Sequence, residues 1–459
     1  MKVLKFGGSS VGNAFNIKKV AGIILKELKT ESLVVVLSAM KGITDLLVKS
    51  ARLAEEGKQE YRACLLDIQQ KHQEAVNGLF NGTGKKIVWD EIEKLLSDLG
   101  NFLHGVELIR ECSLRILDLV MSFGERLSCI IMARYLKDCG LKAAYVDARK
   151  FIVTDDNYGN AAVNYPKTYG NIKKKLALVK ELPVITGFIG STENGVTTTI
   201  GRNGSDYTAS IIGAGLDARA IEIWTDVTGV LSADPRYVQQ AFTIEELSFE
   251  EAMELSYFGA EVIHPRTMIP AFEKNIPIII KNTFEPEANG TIIKKIIKKH
   301  GALITGIACI EDIALLNIEG GGMVGIPGIA ARIFSILAHE NVNIILISQA
   351  SSEHTICLGL KQNEALKAVK ALKRELTKEL ENKAINEFNL LKDLIIIAVI
   401  GDNMKGTPGI SGKLFSALGT MHINVQAIAQ GSSERNISFV IRSKDKLLAL
   451  NTIHQAFFA

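Results

Sequence analysis

Along roughly the first 290 residues, short apolar runs alternate with longer stretches of mixed character. The runs are "KVLKF" (2–6), "LVVVLSA" (33–39), "AAYVDA" (143–148), "PVITGFIG" (183–190), "AIEIWTD" (220–226) and "IPIIIKN" (276–282). They are β-branched and nearly continuously apolar, which predicts strands buried on both faces, as in a parallel sheet wrapped by helices. Between them the pattern turns helical, and residues 45–138 predict several helices inserted as one block. "SFEEAMELSYFG" (248–259) shows how such a helix is delimited. Ser248 and Glu251 form a capping box, Ala252, Leu255 and Phe258 put one apolar stripe on the sheet side, and Gly259 stops the helix. The character changes after "GTIIKKIIKKHG" (290–301), whose four lysines in six residues predict an amphipathic, solvated connector at a domain boundary.

The remainder contains an internal repeat. "GIPGIAARIFSILAHENVNIILISQASSEHTICLGL" from Gly325 aligns without a gap on "GTPGISGKLFSALGTMHINVQAIAQGSSERNISFVI" from Gly406, at an offset of 81 residues. Gly325, Pro327, Gly328, Phe334, Asn343, Gln349, Ser351, Ser352, Glu353 and Ile356 each meet an identical residue. Each copy reads strand ("IALLNIEG" or "LIIIAVIG"), Gly-rich turn, helix, strand, turn, strand, helix. A copy alone would be a marginal fold, so the two are expected to pack on each other.

Composition narrows the function classes. The chain has 459 residues, 47% apolar and 22% charged, with a net charge of +3, which predicts a globular protein of several domains and favours neither a nucleic-acid nor a membrane partner. Its six cysteines are scattered without a C-x-x-C pair, so they are expected to be reduced, buried and ordinary. A strand beginning at the second residue leaves no room for a signal peptide, and the longest apolar runs are too short to cross a bilayer. A cytoplasmic location is therefore expected.

Three loops carry candidate chemistry. "KFGGSS" (5–10) is either a tight turn or a loop that lets backbone N–H groups face a phosphate, with Lys5 bringing a point charge to a transferring phosphoryl group. In "GRNGSDYTAS" (201–210), Ser205 or Asp206 is a simple N-cap, or else Arg202 grips a carboxylate while Asp206 orients lysines and metal. "WTDVTGVLSADPR" (224–236) places Thr225 and Asp226 at the carboxyl end of a strand, where ligands of α/β sheets bind; otherwise it is a polar turn.

These segments, in order with "SAMKGITDLL", "SFGERLS", "ELSYFGAEVIHPRT" and "IKNTFEPEANGT", resemble the aspartate kinases of the amino acid kinase family, and the paired repeats resemble ACT domains. The similarity covers essentially the whole chain. It is nearest the kinase part of bifunctional aspartokinase–homoserine dehydrogenases, and no strand–GxGxxG–helix follows, so no dehydrogenase is expected in these residues.

The resemblance implies an amino acid kinase fold, a mainly parallel sheet between helices, followed by two ferredoxin-like βαββαβ ACT domains. The implied divisions are 1–293 for the kinase domain, 294–304 for a linker, and 305–390 and 391–459 for the ACT domains. It implies transfer of a phosphoryl group from ATP, with Mg²⁺, to the β-carboxylate of L-aspartate, the first step towards lysine, threonine and methionine. ATP phosphates would lie against Lys5, Gly7, Gly8 and Ser9, and the nucleotide near Thr225, Asp226 and Arg236. Aspartate would lie near Thr44, Glu125, Arg202 and Ser205, with Asp206 organising the catalytic groups. No residue is assigned to a metal. The acceptor carboxylate is already ionised at pH 7, so no general base is needed. Gln349 and Gln430, at equivalent strand ends, would contact an effector amino acid, threonine first and lysine next. A homodimer or homotetramer formed through the ACT domains is implied as well.

Two residues depart from the family pattern. Glu261 stands where a lysine usually lies near the nucleotide, and Leu231 where a tyrosine is common. Lys281 or Arg266 would have to offset the reversed charge, and Glu261→Lys is expected to lower the KM for ATP. The same departure keeps open an alternative in which the chain is an amino-acid sensor with a decayed kinase site.

Overall fold

The structure, a computed structural model, describes residues 1–259, 262–297, 302–321, 328–349 and 355–458. Glu261, the first Gly-rich turn before Gly328 and the Ser-Ser-Glu turn of the first repeat lie outside the described residues. The chain forms two units: residues 1–230, 243–249 and 262–297 in one, and 231–242, 250–261 and 298–459 in the other.

In the first unit the strands are β1 (Lys2–Phe6), β2 (Leu33–Leu37), β3 (Ala143–Val146), β4 (Val153–Thr154), β5 (Leu182–Thr186), β6 (Ile189–Thr192), β7 (Thr197–Thr199), β8 (Ala220–Thr225), β9 (Glu246–Ser248), β10 (Ile278–Asn282) and β11 (Thr291–Lys294). Eight of them form one sheet in the order β3-β5-β2-β1-β8-β10-β11-β9, parallel at every pairing except β10–β11. The central strands β1 and β2 are buried along almost their whole length, as their unbroken apolar runs require.

"PVITGFIG" does not form one strand. It splits at Gly187 and Phe188 into β5 of the large sheet and β6 of a small β4-β6-β7 sheet. Phe188 takes φ +67°, and a Cβ on Gly187 would stand 2.5 Å from Ser205 Oγ and 2.9 Å from Leu37 O. Close packing against residues distant in sequence makes the break. The lysine-rich connector also begins in the sheet, as β11, and its exposed, solvated part starts only beyond it.

The helices of this unit are α1 (Ala14–Glu27), the inserted block α2 (Ile43–Glu55), α3 (Tyr61–Leu79), α4 (Gly82–Ile109), α5 (Leu114–Met121) and α6 (Phe123–Asp138), then α7 (Tyr165–Leu176) and α8 (Gly204–Gly215). Helix α10 (Pro265–Glu273) completes the set, whereas α9 (Phe249–Tyr257), which follows β9, has only its first residue in this unit. One core joins Leu4 and Phe6 of β1 and Val35 and Leu37 of β2 to Ile17, Leu47, Ile68, Leu99 and Leu127 of the helices. Beyond its first residue, α9 packs with the second unit, so its apolar stripe is not laid on the parallel sheet as expected. Among the cysteines, Cys64, Cys112 and Cys129 are buried, but Cys309 and Cys357 are half-buried and Cys139 is exposed, which corrects the expectation that all six are buried. Among the described residues, no helix is long and apolar enough to cross a membrane.

The second unit contains β12 (Gly306–Glu319), α11 (Ile329–His339), β13 (Ile344–Gln349), β14 (Thr355–Lys361), α12 (Gln362–Glu375) and α13 (Thr377–Glu381). The second repeat supplies β15 (Glu387–Ile400), α14 (Ile410–Thr420), β16 (Ala427–Gln430), β17 (Asn436–Arg442) and α15 (Lys446–Phe458). All six strands form one antiparallel sheet, in the order β13-β14-β12-β15-β17-β16. The repeats share it by exchange. Of β12, only Ile313–Glu319 pairs with β14, and of β15, only Leu394–Ile400 pairs with β17, while β12 and β15 pair with each other along both halves. The first half of each long strand thus completes the other repeat, and the division expected at 390/391 falls inside β15. Asp312 and Asp393, related by the repeat, take φ +58° and +56° between the halves. Aspartate tolerates that left-handed conformation better than the β-branched residues around it.

Candidate functional site

Lys5 leaves β1 pointing into the unit at the carboxyl end of the sheet, and the turn after it is built for close approach. Gly7 N donates to Trp224 O at 3.0 Å, and Ser10 N closes the turn on Gly7 O at 3.0 Å. Gly8 O accepts from Lys41 N at 3.1 Å, and a Cβ on Gly8 would stand 2.9 Å from Ala39 O, so no other residue fits without movement. Ser9 O takes Asn16 Nδ2 at 2.8 Å, and Ser10 Oγ meets Thr283 Oγ1 at 2.7 Å.

Two carboxylates converge on this lysine. Asp206 Oδ1 lies 2.5 Å from Lys5 Nζ, with both side chains more than nine-tenths buried. The ammonium carries three donors and can still meet a second anion. Asp206 and Ser205 belong to the first turn of α8, whose N-cap is Asn203 at φ +53°, so neither serves as the cap. Glu125, in the first turn of α6, is 3% exposed; its Oε1 accepts from Ala39 N at 3.1 Å, and its Oε2 is buried without a partner. Burial pushes its carboxyl up to about 8, against the pull of the Ala39 N–H and the nearby Lys5 charge. The segment after β2 therefore supports the glycine turn through Ala39 O and Lys41 N, and Glu125 through Ala39 N. Sequence reasoning missed this backbone role, because it depends on no particular side chain.

The other expected residues are placed as follows. Thr44 sits half-buried in the first turn of α2. Arg202 is exposed in the loop before α8. His264 has its pKa lowered by burial and then by the charges of Arg202 and Arg266. Thr225 ends β8, its carbonyl taking Thr283 N at 2.8 Å, and its hydroxyl donates to the exposed Asp226 at 3.2 Å. Arg236 belongs to the second unit, where its guanidinium is paired with Asp234 at 2.6 Å, and Leu231 belongs there too. Neither expected compensator for Glu261 is idle: Lys281 Nζ lies 4.9 Å over the Trp224 ring, and Arg266 is bonded to Asn160 and Ala161.

In the second unit the edge strands β13 and β16 meet, with Ser348 Oγ donating to Ile428 O at 3.0 Å. Gln349 and Gln430 come together there in a cavity of about 530 Å³, whose wall also includes Glu254, Phe258, Ser433 and Asn436. Glu254 Oε2 accepts from Asn436 Nδ2 at 2.9 Å. Glu254 and Phe258 were not foreseen in this role; their helix was expected on the sheet. The Gly-rich turn of the second repeat is tied to its Ser-Ser-Glu turn, Gly406 N donating to Glu434 Oε2 at 2.6 Å.

A lysine beside a glycine turn at the carboxyl ends of parallel strands, with buried carboxylates next to it, is the architecture of a phosphate-handling α/β enzyme, here joined to a duplicated βαββαβ module. Residues 1–282 match the amino acid kinase family, and residues 316–376 and 397–457 match the ACT domain. Over 463 residues the chain is 37% identical to the chloroplastic bifunctional aspartokinase/homoserine dehydrogenase 2 of Arabidopsis thaliana, covering 99% of this chain and 50% of that protein. It is likewise 37% identical to the chloroplastic aspartokinase 1 of Arabidopsis thaliana, covering 99% of this chain and 80% of that one. The structure of E. coli aspartokinase III in complex with aspartate and ADP matches with a TM-score of 0.83 at 29% identity, and that of the Clostridium acetobutylicum aspartate kinase with 0.83 at 31%, each covering 100% of both chains. The E. coli enzyme with lysine and aspartate matches at 0.79 and 30%, again over 100% of both chains. The chain spans about half the length of the bifunctional relatives it matches. It belongs to the amino acid kinase family, among the aspartokinases.

Proposed function

We propose that the chain transfers the γ-phosphoryl group of ATP to the β-carboxylate of L-aspartate, giving 4-phospho-L-aspartate, under control of an amino acid bound at the ACT repeats. The observation that carries this reading is the buried Lys5–Asp206 pair beside the Gly7–Gly8 turn, with Glu125 Oε2 left without a partner. The difficulty of the reaction is electrostatic, because an anionic acceptor must approach a polyanion. Lys5 supplies the compensating charge, and Asp206 fixes where the ammonium stands. Gly7, Gly8 and Ser9 let backbone approach the phosphates, and Thr225 and Asp226 border the nucleotide. Glu125 takes the substrate's α-ammonium, Arg202 a substrate carboxylate, and Thr44 and Ser205 offer hydroxyls.

ATP as donor agrees with the ADP bound in the E. coli relative. Among the described residues no three His, Cys, Asp or Glu side chains converge on a metal position. Mg²⁺ enters with the nucleotide, held chiefly by phosphate oxygens, and lowers the negative charge that the acceptor meets. The effector is threonine or lysine, held between Gln349 and Gln430; the E. coli relative was crystallised with lysine. Linked control of this kind is reached most simply by ACT pairing between subunits, so a homodimer or homotetramer is proposed.

Incubation with ATP, Mg²⁺ and hydroxylamine tests the reaction, since hydroxylamine traps an acyl phosphate as its hydroxamate. Aspartate should yield the hydroxamate and glutamate should not. No product with aspartate, or equal product with both, would overturn the reading.

A further inference from the structure

Asp118 and Arg266 touch none of the groups assigned above, yet both grip the same turn. Asp118, on α5, is 0% exposed. Its oxygens accept from Gly159 N at 3.1 and 3.0 Å, from Thr199 N at 2.9 Å and from Thr199 Oγ1 at 2.7 Å. A carboxylate this deep in the protein is tolerated only with such donors around it. From the other side Arg266, in the first turn of α10, donates to Asn160 Oδ1 and, at 3.3 Å, to Ala161 O, with its guanidinium 5.3 Å over the Tyr207 ring. Ala161 N closes the connection by donating to Thr199 O at 3.0 Å.

This turn underlies the loop that opens α8. Gly201 takes φ +84°, and a Cβ there would stand 2.5 Å from Asn160 Oδ1, so Asn160 is seated directly against it. Gly201 immediately precedes Arg202, Thr199 lies two residues earlier, and Tyr207 immediately follows Asp206. The loop is therefore braced before Arg202 by Asp118 and Asn160, and after Asp206 by the Arg266–Tyr207 stack.

We propose that Asp118 and Arg266 are positioning residues for aspartate recognition, clamping the 159–161 turn beneath Gly201 and so fixing where Arg202 and Ser205 meet the substrate. The proposal rests on the aspartate reading above. It also gives the arginine of "HPRT" a task other than neutralising the nucleotide.

Steady-state kinetics of the full chain test it with Asn160→Ala, Arg266→Lys and the double variant. Asn160 is exposed on a loop, so its loss leaves the fold intact. Lysine keeps the charge of Arg266 but not its two-pronged donor geometry. Each single variant should raise the KM for aspartate about tenfold, with kcat changed less than about threefold and the KM for ATP within about twofold. The double variant should be no worse than either single, because both break one clamp. Equal rises in both KM values, a loss confined to kcat, or additive effects would overturn the clamp. Hydrogen–deuterium exchange decides it without turnover. Arg266→Lys should speed exchange over residues 199–203, and unchanged exchange there would contradict the proposal. A wild-type chain inactive on aspartate would refute the substrate reading alone, and the exchange result would still judge the clamp.

Discussion

The Lys5 cluster and the Gln349–Gln430 cavity solve opposite problems. The first is built on a charge pair held nearly out of water, Lys5 and Asp206 at 2.5 Å, with the Glu125 carboxyl beside it at 3% exposure. The second is lined by the amides of Gln349, Gln430 and Asn436, by serine hydroxyls, by apolar side chains and by the Glu254 carboxylate, where two edge strands meet through Ser348 Oγ and Ile428 O. Phosphoryl transfer gains from charges fixed in advance, since they need no reorganisation as the reaction proceeds. Sensing gains from strands that can change their spacing when a small molecule enters, because an effector must prefer one arrangement over another. Charge in the first region is therefore coupled to stability.

That contrast can be broken most severely at Asp206. Asp206→Ala should lower kcat by about 10²–10³-fold and destabilise the first unit by about 3–5 kcal/mol, because Lys5 is left buried without its partner. A variant with wild-type melting and wild-type rate would show that the pair is not the fixed charge claimed.

Glu125 sharpens the comparison through pH. Its folded pKa is raised to about 8 from an ordinary 4.5, so the native state binds this proton where the unfolded chain has released it. Without substrate, its contribution to stability is present in full below the unfolded pKa and is lost as pH rises towards 8. Aspartate's ammonium needs the ionised form, so the KM for aspartate should fall as pH rises through that range. Glu125→Gln should remove this dependence and leave a high, flat KM; a pH profile identical to wild type would place the ammonium elsewhere.

In the cavity the effects should be regulatory alone. Gln349→Ala and Gln430→Ala should each weaken inhibition by the effector about tenfold, as loss of a ligand-facing hydrogen bond predicts, while uninhibited kcat stays within about twofold. Titrating threonine and lysine separately identifies which amino acid acts, and inhibition unchanged in both variants would move the effector site. The smallest effect is expected at Arg236, whose side chain is paired with Asp234 in the second unit. Arg236→Ala should leave the KM for ATP within about twofold, since the side chain is already held by Asp234 in an exposed pair; a larger rise would put it at the nucleotide, as the family resemblance implies.

The parts legible in the sequence were those that local pattern controls. Strands β1, β2, β8 and β10 announce themselves as apolar runs, and the offset of 81 residues predicts two equivalent modules. The break at Gly187 was hidden, because "PVITGFIG" is apolar throughout while the constraint comes from Ser205 across the fold. Strand exchange between the repeats was also hidden, although Asp312 and Asp393 sit at matching positions and mark the bend. Phe258 was read as helix packing because a stripe of spacing cannot say which partner it will face, and Glu254 was given no role.

The most direct test is Lys5→Ala, assayed for hydroxamate formation from aspartate and for binding of the effector in the same preparation. The predicted result is loss of turnover by at least about 10²-fold with effector binding retained, since the lysine serves the charged cluster and not the cavity. Turnover near the wild-type rate would contradict the assignment of this buried lysine, and with it the catalytic reading of the site.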